Sequence, residues 1–174
     1  MVDVLKLDHR PKRDERITTH CILLSRIFGV KRFFYTGIRD AGLEKRIEAM
    51  QDKWGKGIDV KWIKGWKDIF KKYNIVHLTM YGIPFQRKIG EIKKCKDLLI
   101  VVGGPKVPSE IYRHARWNIA VSNQPHSEIA ALAIFLWELK GRKFARLHGK
   151  IRIKPSARGK SIQEVQRERL SAHQ

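Results

Sequence analysis

Short strand-like runs alternate with helix-like runs along most of the chain, and this alternation constrains the fold more than any other feature. Strands are predicted at residues 2–7, 31–35, 58–63, 75–80, 98–102 and 117–121. Each is followed by a predicted helix, at residues 18–28, 43–54, 66–73, 85–95, 108–114 and from about residue 127. Six strand–helix units predict an α/β fold, with a mostly parallel sheet covered by helices on both faces.

The length of 174 residues suits one domain, residues 1–174, with a basic C-terminal extension from about residue 140. Residues 140–170 carry eleven Lys or Arg against two Glu. The alternation Lys150-Ile151-Arg152-Ile153-Lys154 predicts an exposed edge strand. Such a strand is explained equally well by a solvated edge and by contact with RNA. From about Ser161 onward we expect a helical or frayed segment.

The charge of the chain is far from balanced. There are 37 Lys and Arg against 17 Asp and Glu, a formal net charge of +20. This excess predicts a polyanionic partner, most commonly nucleic acid. Cys21 and Cys95 lack a CxxC partner, so neither a disulfide framework nor a zinc site is predicted. With no membrane-length apolar run and no signal peptide at the start, we expect a soluble, cytoplasmic protein that binds no membrane and no metal.

A polar string follows the last predicted strand: Val121-Ser122-Asn123-Gln124-Pro125-His126-Ser127-Glu128. Ser127 is a candidate N-cap, Glu128 suits the first turn of the next helix, and Pro125 stiffens the approach. Capping does not explain Asn123, Gln124 and His126. Because open α/β sheets bind ligands at the carboxyl ends of their strands, we expect these side chains to hydrogen-bond a bound molecule.

Two other predicted loops, residues 77–82 and 102–108, follow neighbouring strands, so all three loops are expected to wall one pocket. Gly103 and Gly104 permit close approach of the backbone to a ligand, although a simple tight turn explains them as well. The chain lacks GxGxxG and GxxxxGK[ST], which disfavours a standard NAD or ATP fold. A hydrolase using Ser127 or Cys21 with His126 is disfavoured too, because adjacent Ser and His residues on a tight loop do not share nucleophile geometry.

A basic segment, residues 9–20, follows the first strand and enters the first helix. Arginines at a helix N-terminus oppose the helix dipole, so this cluster predicts an anionic partner such as phosphate. The alternative is a charged loop that Asp14 and Glu15 partly neutralise. His77 and His114 are interpreted as structural or surface histidines.

Several strings together resemble the archaeal tRNA cytidine 2′-O-methyltransferases that act on cytidine 56 of the TΨC loop. The resemblance runs from residue 5 to about residue 160. It is carried by His9-Arg10-Pro11, Arg13-Asp14, Arg16, Thr18-Thr19-His20, His77-Leu78-Thr79-Met80-Tyr81-Gly82, Lys106-Val107-Pro108 and Asn123-Gln124-Pro125-His126-Ser127-Glu128.

The resemblance implies a SPOUT-type fold with a deep trefoil knot in the carboxyl half, a homodimer, a tRNA substrate and S-adenosylmethionine held by the knot loops. The residues implied to bind this cofactor are Leu78, Gly103, Gly104, Pro105, Lys106, Val107, Val121, Ser122, Asn123, Gln124, Pro125, His126, Ser127 and Glu128. Gly104-Pro105 stands where the family usually has Ala-Glu, and Ser122 replaces a common Gly, so any contact of that glutamate is missing here.

In the implied reaction a ribose 2′-hydroxyl attacks the methyl group of S-adenosylmethionine, which the cofactor's charge already activates. Arg16 is the first candidate for orienting or deprotonating the hydroxyl, and Arg10, Arg13 and His20 are the runners-up. An arginine is a poor base because of its high pKa, so orientation and phosphate binding suit it better. Both subunits of the dimer are expected to contribute. The alternative function is a non-catalytic RNA-binding or ribosome-associated protein.

Overall fold

The computed structural model describes residues 1–104 and 106–165, and its centre is a six-stranded parallel sheet. The strands are β1 (Val2–His9), β2 (Arg32–Gly37), β3 (Asp59–Trp62), β4 (Asn74–Pro84), β5 (Leu98–Val102) and β6 (Trp117–Ala120). They lie in the order β3-β2-β1-β5-β4-β6, and each pairing is parallel. The predicted parallel α/β sheet is therefore confirmed.

Helices cover both faces of the sheet, as predicted. They are α1 (Glu15–Ile27), α2 (Ala41–Trp54), α3 (Lys67–Phe70), α4 (Ile89–Ile92), α5 (Ser109–His114) and α6 (Glu128–Leu139), with a 3-10 turn at Phe85–Arg87 before α4. A larger apolar cluster joins the sheet to α1, α2 and α6, and a smaller one joins it to α3 and α5. Every residue of β5 is buried, which explains the unbroken apolar run of this strand.

Two predicted helices are much shorter than their sequence pattern suggests. Residues 66–73 form only the four-residue α3, and residues 85–95 form the 3-10 turn and the four-residue α4. In α4 only Ile92 is buried, and Gly90 lowers the helix propensity. Both segments still pack their apolar side chains on the core, residues 66, 69, 70 and 73 on the smaller cluster and residues 85, 89, 92 and 95 on the larger one.

Strand β4 differs from the prediction in the other direction, because it continues to Pro84. Leu78 and Ile83 both pair with Ile119 of β6, so the intervening residues 79–82 bulge out of the sheet. A Cβ at Gly82 would lie 2.5 Å from the carbonyl carbon of Asn118, so only glycine fits where the bulge returns to the sheet. Residues 77–82, predicted as a loop, thus belong to a strand that is interrupted by a bulge. Residues 79–82 are called here the β4 bulge.

Beyond α6 the chain crosses the carboxyl ends of α1 and α2. The Ala145 amide donates to Ile27 (2.8 Å) and the Lys150 amide to Lys53 (2.8 Å). Strands β7 (Ile151–Ile153) and β8 (Ile162–Glu164) then pair antiparallel, and residues 150–165 are called the basic hairpin. The expectation of a helical or frayed segment from Ser161 was wrong for residues 162–164, because cross-strand pairing with β7 orders them. The part of this prediction that falls on residues 166–174 lies outside the described residues. No helix of the described residues is long and apolar enough to cross a membrane.

Candidate functional site

A cavity of about 440 Å³ opens at the carboxyl edge of the sheet, beside the start of α6. All three segments predicted to wall a pocket contribute to it. Seven of the predicted cofactor residues line it: Leu78, Gly103, Gly104, Val107, His126, Ser127 and Glu128. The remaining lining residues are Ile17, His77, Thr79, Met80, Tyr81, Val102, Tyr112, Ile129 and Ala131. The wall is mainly apolar with a few polar groups, as in small-molecule sites.

Asn123 does not line the cavity but holds its wall in place. Its side-chain amide donates to the carbonyl oxygens of Met80 (2.7 Å) and Gly82 (3.1 Å), both in the β4 bulge. Of the other predicted cofactor residues, Lys106, Val121, Ser122, Gln124 and Pro125 do not line the cavity, and Pro105 lies outside the described residues. The polar string therefore includes an internal brace as well as residues that face the cavity.

Helix α6 begins as the sequence predicts. The Ser127 hydroxyl accepts a hydrogen bond from the Ala130 amide (3.1 Å), which makes Ser127 the N-cap. Glu128 is in the first turn, where a carboxylate is favoured by the helix dipole. Capping thus accounts for the position of the Ser127 hydroxyl. The Glu128 carboxylate takes no part in the cap and lies at the cavity wall.

Glu128 forms an ion pair that the sequence analysis missed. Lys6 of β1 is buried, and its Nζ lies 3.0 Å from Oε2 of Glu128 and donates to the Leu7 carbonyl (3.2 Å). A charged residue inside the apolar run of β1 is the signal that could have revealed it. Cys21 is buried near this pair: burial, followed by the charge of Glu128, raises the pKa of its thiol to about 12.

His77 also lines the cavity and is fully buried. Asn118 donates from its side-chain amide to the Tyr112 carbonyl (2.9 Å), so its Oδ1 faces Nδ1 of His77 at 2.9 Å. Nδ1 is therefore the donor and Nε2 carries the lone pair, with no hydrogen-bond partner among the described residues. Burial lowers the pKa of His77, although the Asn118 hydrogen bond acts in the opposite direction, so the neutral ring is favoured.

In the basic segment, two of the predicted residues serve the fold. His9 is buried, with Nδ1 2.8 Å from the Thr18 hydroxyl and Nε2 3.4 Å from the Asp40 carboxylate. Arg10 donates from Nε to Asp14 (3.0 Å). Burial acts to raise the pKa of Asp14, but the hydrogen bond and the charge of Arg10 outweigh it and lower the pKa.

The other three candidates, Arg13, Arg16 and His20, are exposed on α1 or just before it. Among the described residues the side chain of Arg16 has no ion pair or hydrogen bond, and it does not line the cavity, although its neighbour Ile17 does. The structure thus brings the basic segment to the rim of the cavity without placing Arg16 inside it.

Solved structures of methyltransferases and of a tRNA modifying enzyme share this fold. A putative RNA methyltransferase from Bacillus anthracis superposes with a TM-score of 0.62, at 15% identity, over 82% of this chain and 94% of that chain. A TrmH/SpoU tRNA modifying enzyme from A. aeolicus gives 0.57, at 14% identity, over 81% and 74%. The SpoU methyltransferase AviRb from Streptomyces viridochromogenes, in complex with the cofactor AdoMet, gives 0.57, at 9% identity, over 82% and 57%. The fold is that of the SPOUT class, as the resemblance implied.

The sequence comparisons narrow the class to one family. Residues 54–163 match the family model described as "tRNA ribose 2'-O-methyltransferase, aTrm56". The tRNA (cytidine(56)-2′-O)-methyltransferase of Thermococcus kodakarensis is 42% identical over 95% of this chain and 98% of its own length. That of Pyrococcus horikoshii is 41% identical over 95% and 86%. The chain belongs to this family of tRNA ribose 2′-O-methyltransferases, which confirms both the resemblance and the prediction of an enzyme.

Proposed function

We propose that the protein transfers a methyl group from S-adenosylmethionine to the ribose 2′-hydroxyl of cytidine 56 in the TΨC loop of tRNA. The observation that carries the proposal is similarity over nearly the full length of both chains to relatives with this activity in their names. The cavity supports it, because its wall is built from the segments that the resemblance assigns to the cofactor. The net charge of +20 suits a tRNA substrate and, with it, the predicted cytoplasmic location.

The cavity fits S-adenosylmethionine in size and chemistry. A volume of about 440 Å³ is within the range of small-molecule sites. A Cβ at Gly103 would lie 2.6 Å from Cγ2 of Val107, so the backbone approaches this wall as closely as a glycine permits. The unpartnered Nε2 of His77 is available to accept a hydrogen bond from a ligand. Leu78, Gly103, Val107, His126 and Glu128 would hold the cofactor.

The cofactor, when bound, supplies a methyl group activated by the positive sulfur, so we propose transfer without a metal ion. The protein must then position the 2′-hydroxyl and accept its proton. Arg16 is the proposed residue for orienting the hydroxyl and binding an adjacent phosphate, because a planar guanidinium offers several donors. The imidazole of His20 is the easier base of the candidates.

Exposure of Arg16 supports the predicted homodimer. Within the described part of the chain its side chain makes no hydrogen bond or ion pair and does not line its own cavity, so we propose that it reaches the cavity of the partner subunit. Helices α1 and α6 pack together and leave Ile17, Ile27 and Ile134 exposed, which are apolar residues suited to an interface between two copies.

The knot and the domain organisation are also proposals. The deep trefoil knot would form where the β4 bulge, residues 102–108 and residues 121–127 meet at the cavity. The two hydrogen bonds from Asn123 to the β4 bulge support this crossing. Residues 1–174 would be one SPOUT domain, and the chain from about residue 140 its basic extension, since that segment is hydrogen-bonded to the ends of α1 and α2.

The test is methyl transfer from radiolabelled S-adenosylmethionine to an unmodified archaeal tRNA transcript. The matched control is the same transcript with 2′-deoxycytidine at position 56. We expect label in the first RNA and none in the second, since the attacking hydroxyl is missing. Label in both would move the site to another nucleotide, and label in neither would favour the non-catalytic RNA-binding alternative.

A further inference from the structure

The basic hairpin is an ordered element with almost no cover. Residues 152–160 and 162–165 are all exposed, and only Ile151 and Ser161 between them are partly covered. Two antiparallel strands without a packed face are at best marginally stable alone. The anchor is at its base, where Lys150 binds Asp52 (2.6 Å) and its amide donates to Lys53. Stability therefore does not explain why the element projects into solvent.

The charge of the hairpin is strongly one-sided. It holds five basic residues against one acidic residue, Glu164. Among the described residues, four of the basic side chains have no ion pair: Arg152, Lys154, Arg158 and Lys160. Alternate residues of a strand point to the same face at a spacing of about 6.6 Å, so Arg152 and Lys154 lie side by side. The loop between the strands carries the other two basic side chains, Arg158 and Lys160.

The hairpin and the cavity lie at opposite ends of the strands: the hairpin is near their amino ends and the cavity is at their carboxyl ends. The hairpin is fixed to the carboxyl ends of α1 and α2, and the chain leaving α1 meets the start of β1, where the Lys31 amide donates to the Val2 carbonyl (3.3 Å). The cavity lies beyond the other end, where Val102 of β5 pairs with Lys6. About four residues of β1 lie between the hairpin end and the cavity end of this strand, a distance on the order of 15 Å. The length of the hairpin itself adds to this distance.

We propose that the exposed basic face of this hairpin binds the phosphate backbone of tRNA, away from the ribose that is methylated. The inference rests on the proposed function for the identity of the RNA. Four unpaired cations in a solvated ribbon complement a phosphate backbone and release counterions when they bind it. The alternative occupant is a second copy of the chain, but the hairpin's exposed large apolar side chains are Ile153, Ile162 and Val165, and three side chains give far less apolar area than a stable interface needs.

The test compares tRNA binding by R152A/K154A and by the matched control K64A/K72A across a salt series. The control removes two exposed lysines near α3, on the other face of the sheet, so the net charge changes equally. We expect the hairpin variant to bind tRNA about tenfold more weakly at low salt, with a shallower dependence of log K on log salt by about one to two, and the control to resemble the wild type. Affinity for S-adenosylmethionine, measured by calorimetry, should not change.

A second variant, R158A/K160A, changes the loop outside the paired strands and should give the same weakening if the first variant misfolds. Equal affinity and salt slope in wild type and R158A/K160A would overturn the inference. So would a change from dimer to monomer in either variant, which would assign the hairpin to a second copy. Because binding is measured without methyl transfer, an inactive wild type would count against the proposed function and not against this surface.

Discussion

At the residue scale, Lys6 and Glu128 place two opposite charges 3.0 Å apart at the wall of the cavity. Lys6 is only 2% exposed, whereas the Glu128 side chain is 20% exposed. A buried ammonium without a partner is very costly, so Lys6 depends on Glu128 more than Glu128 depends on Lys6. The pair orients the carboxylate at the start of α6, where three polar residues in succession face the cavity.

Replacing Glu128 should therefore harm stability more than its partial exposure suggests. We expect Glu128→Leu to lower the free energy of unfolding by about 3 kcal/mol, because the Lys6 ammonium is left buried and unpaired. The double variant K6M/E128L should recover part of this loss, since both charges are then gone. Denaturant unfolding of the wild type and both variants measures the difference. A double variant less stable than E128L would contradict the interpretation of a mutually dependent pair.

His77 should make stability depend on pH near neutrality. Burial lowers its pKa in the folded protein below the ordinary value of 6.5. As the pH falls through 6.5, His77 is therefore protonated in the unfolded chain before it is protonated in the folded protein. The free energy of unfolding decreases over this range, until the pH passes the lower pKa of His77 in the folded state. Urea titrations between about pH 7.5 and pH 5 should show a smaller decrease in His77→Gln than in the wild type. Identical slopes would contradict the assignment.

At the element scale, the cavity depends on two segments that approach each other closely, the β4 bulge and the turn after β5. The bulge is held by Asn123, and the turn begins with two glycines whose surroundings differ. A Cβ at Gly103 would meet Cγ2 of Val107 at 2.6 Å, while a Cβ at Gly104 would meet only Oε1 of Glu128 at 3.7 Å. The first position excludes a side chain unless Val107 moves, and the second does not.

The two glycines give a matched pair of variants. Gly103→Ala should weaken binding of S-adenosylmethionine several-fold, because Val107 lines the cavity and has to shift. Gly104→Ala should weaken cofactor binding less and change stability by less than about 0.5 kcal/mol, because the added methyl group makes an ordinary contact. Calorimetric titration with the cofactor separates the two, and equal affinities would show that the turn adapts freely.

Asn123 tests whether the brace on the β4 bulge matters for the site. Asn123→Ala removes both hydrogen bonds to the bulge, each contributing about 1 kcal/mol, and should weaken cofactor binding. Asn123→Asp tests the N–H donor alone, since a carboxylate of similar shape accepts hydrogen bonds but donates none. It should show the same loss of cofactor affinity as Asn123→Ala. Unchanged cofactor affinity in both variants would mean that the polar string serves mainly to begin α6.

At the scale of the whole molecule, the proposed homodimer makes each site a product of two chains. Arg16→Ala should abolish methyl transfer with cofactor affinity nearly intact, and Gly103→Ala should lose most of its activity through weak cofactor binding when S-adenosylmethionine is limiting. If Arg16 acts in the partner's cavity, refolding the two variants together should restore about a quarter of the wild-type activity, because half of the randomly formed dimers carry one intact site. No recovery in the mixture would place Arg16 at its own cavity or outside catalysis.

The sequence predicted the sheet because strands buried on both faces leave continuous apolar runs, as β5 does. It predicted the three segments of the cavity because parallel strands end at one edge. It did not predict the β4 bulge, since the pairing of Ile83 with Ile119 depends on a glycine fitting against the backbone of a distant strand. Lys6 and His77 were missed for a similar reason: their partners, Glu128 and Asn118, lie far along the chain.

The buried thiol of Cys21 has a practical consequence. With a pKa near 12, almost none of it is thiolate at neutral pH, and thiolate is the form that reacts with maleimides. Cys95, the other cysteine, is partly exposed just before β5. The unmodified sequence should thus accept a single fluorophore at Cys95, a reporter at the edge of the sheet away from the cavity, from which arrival of RNA could be followed without engineering the protein first.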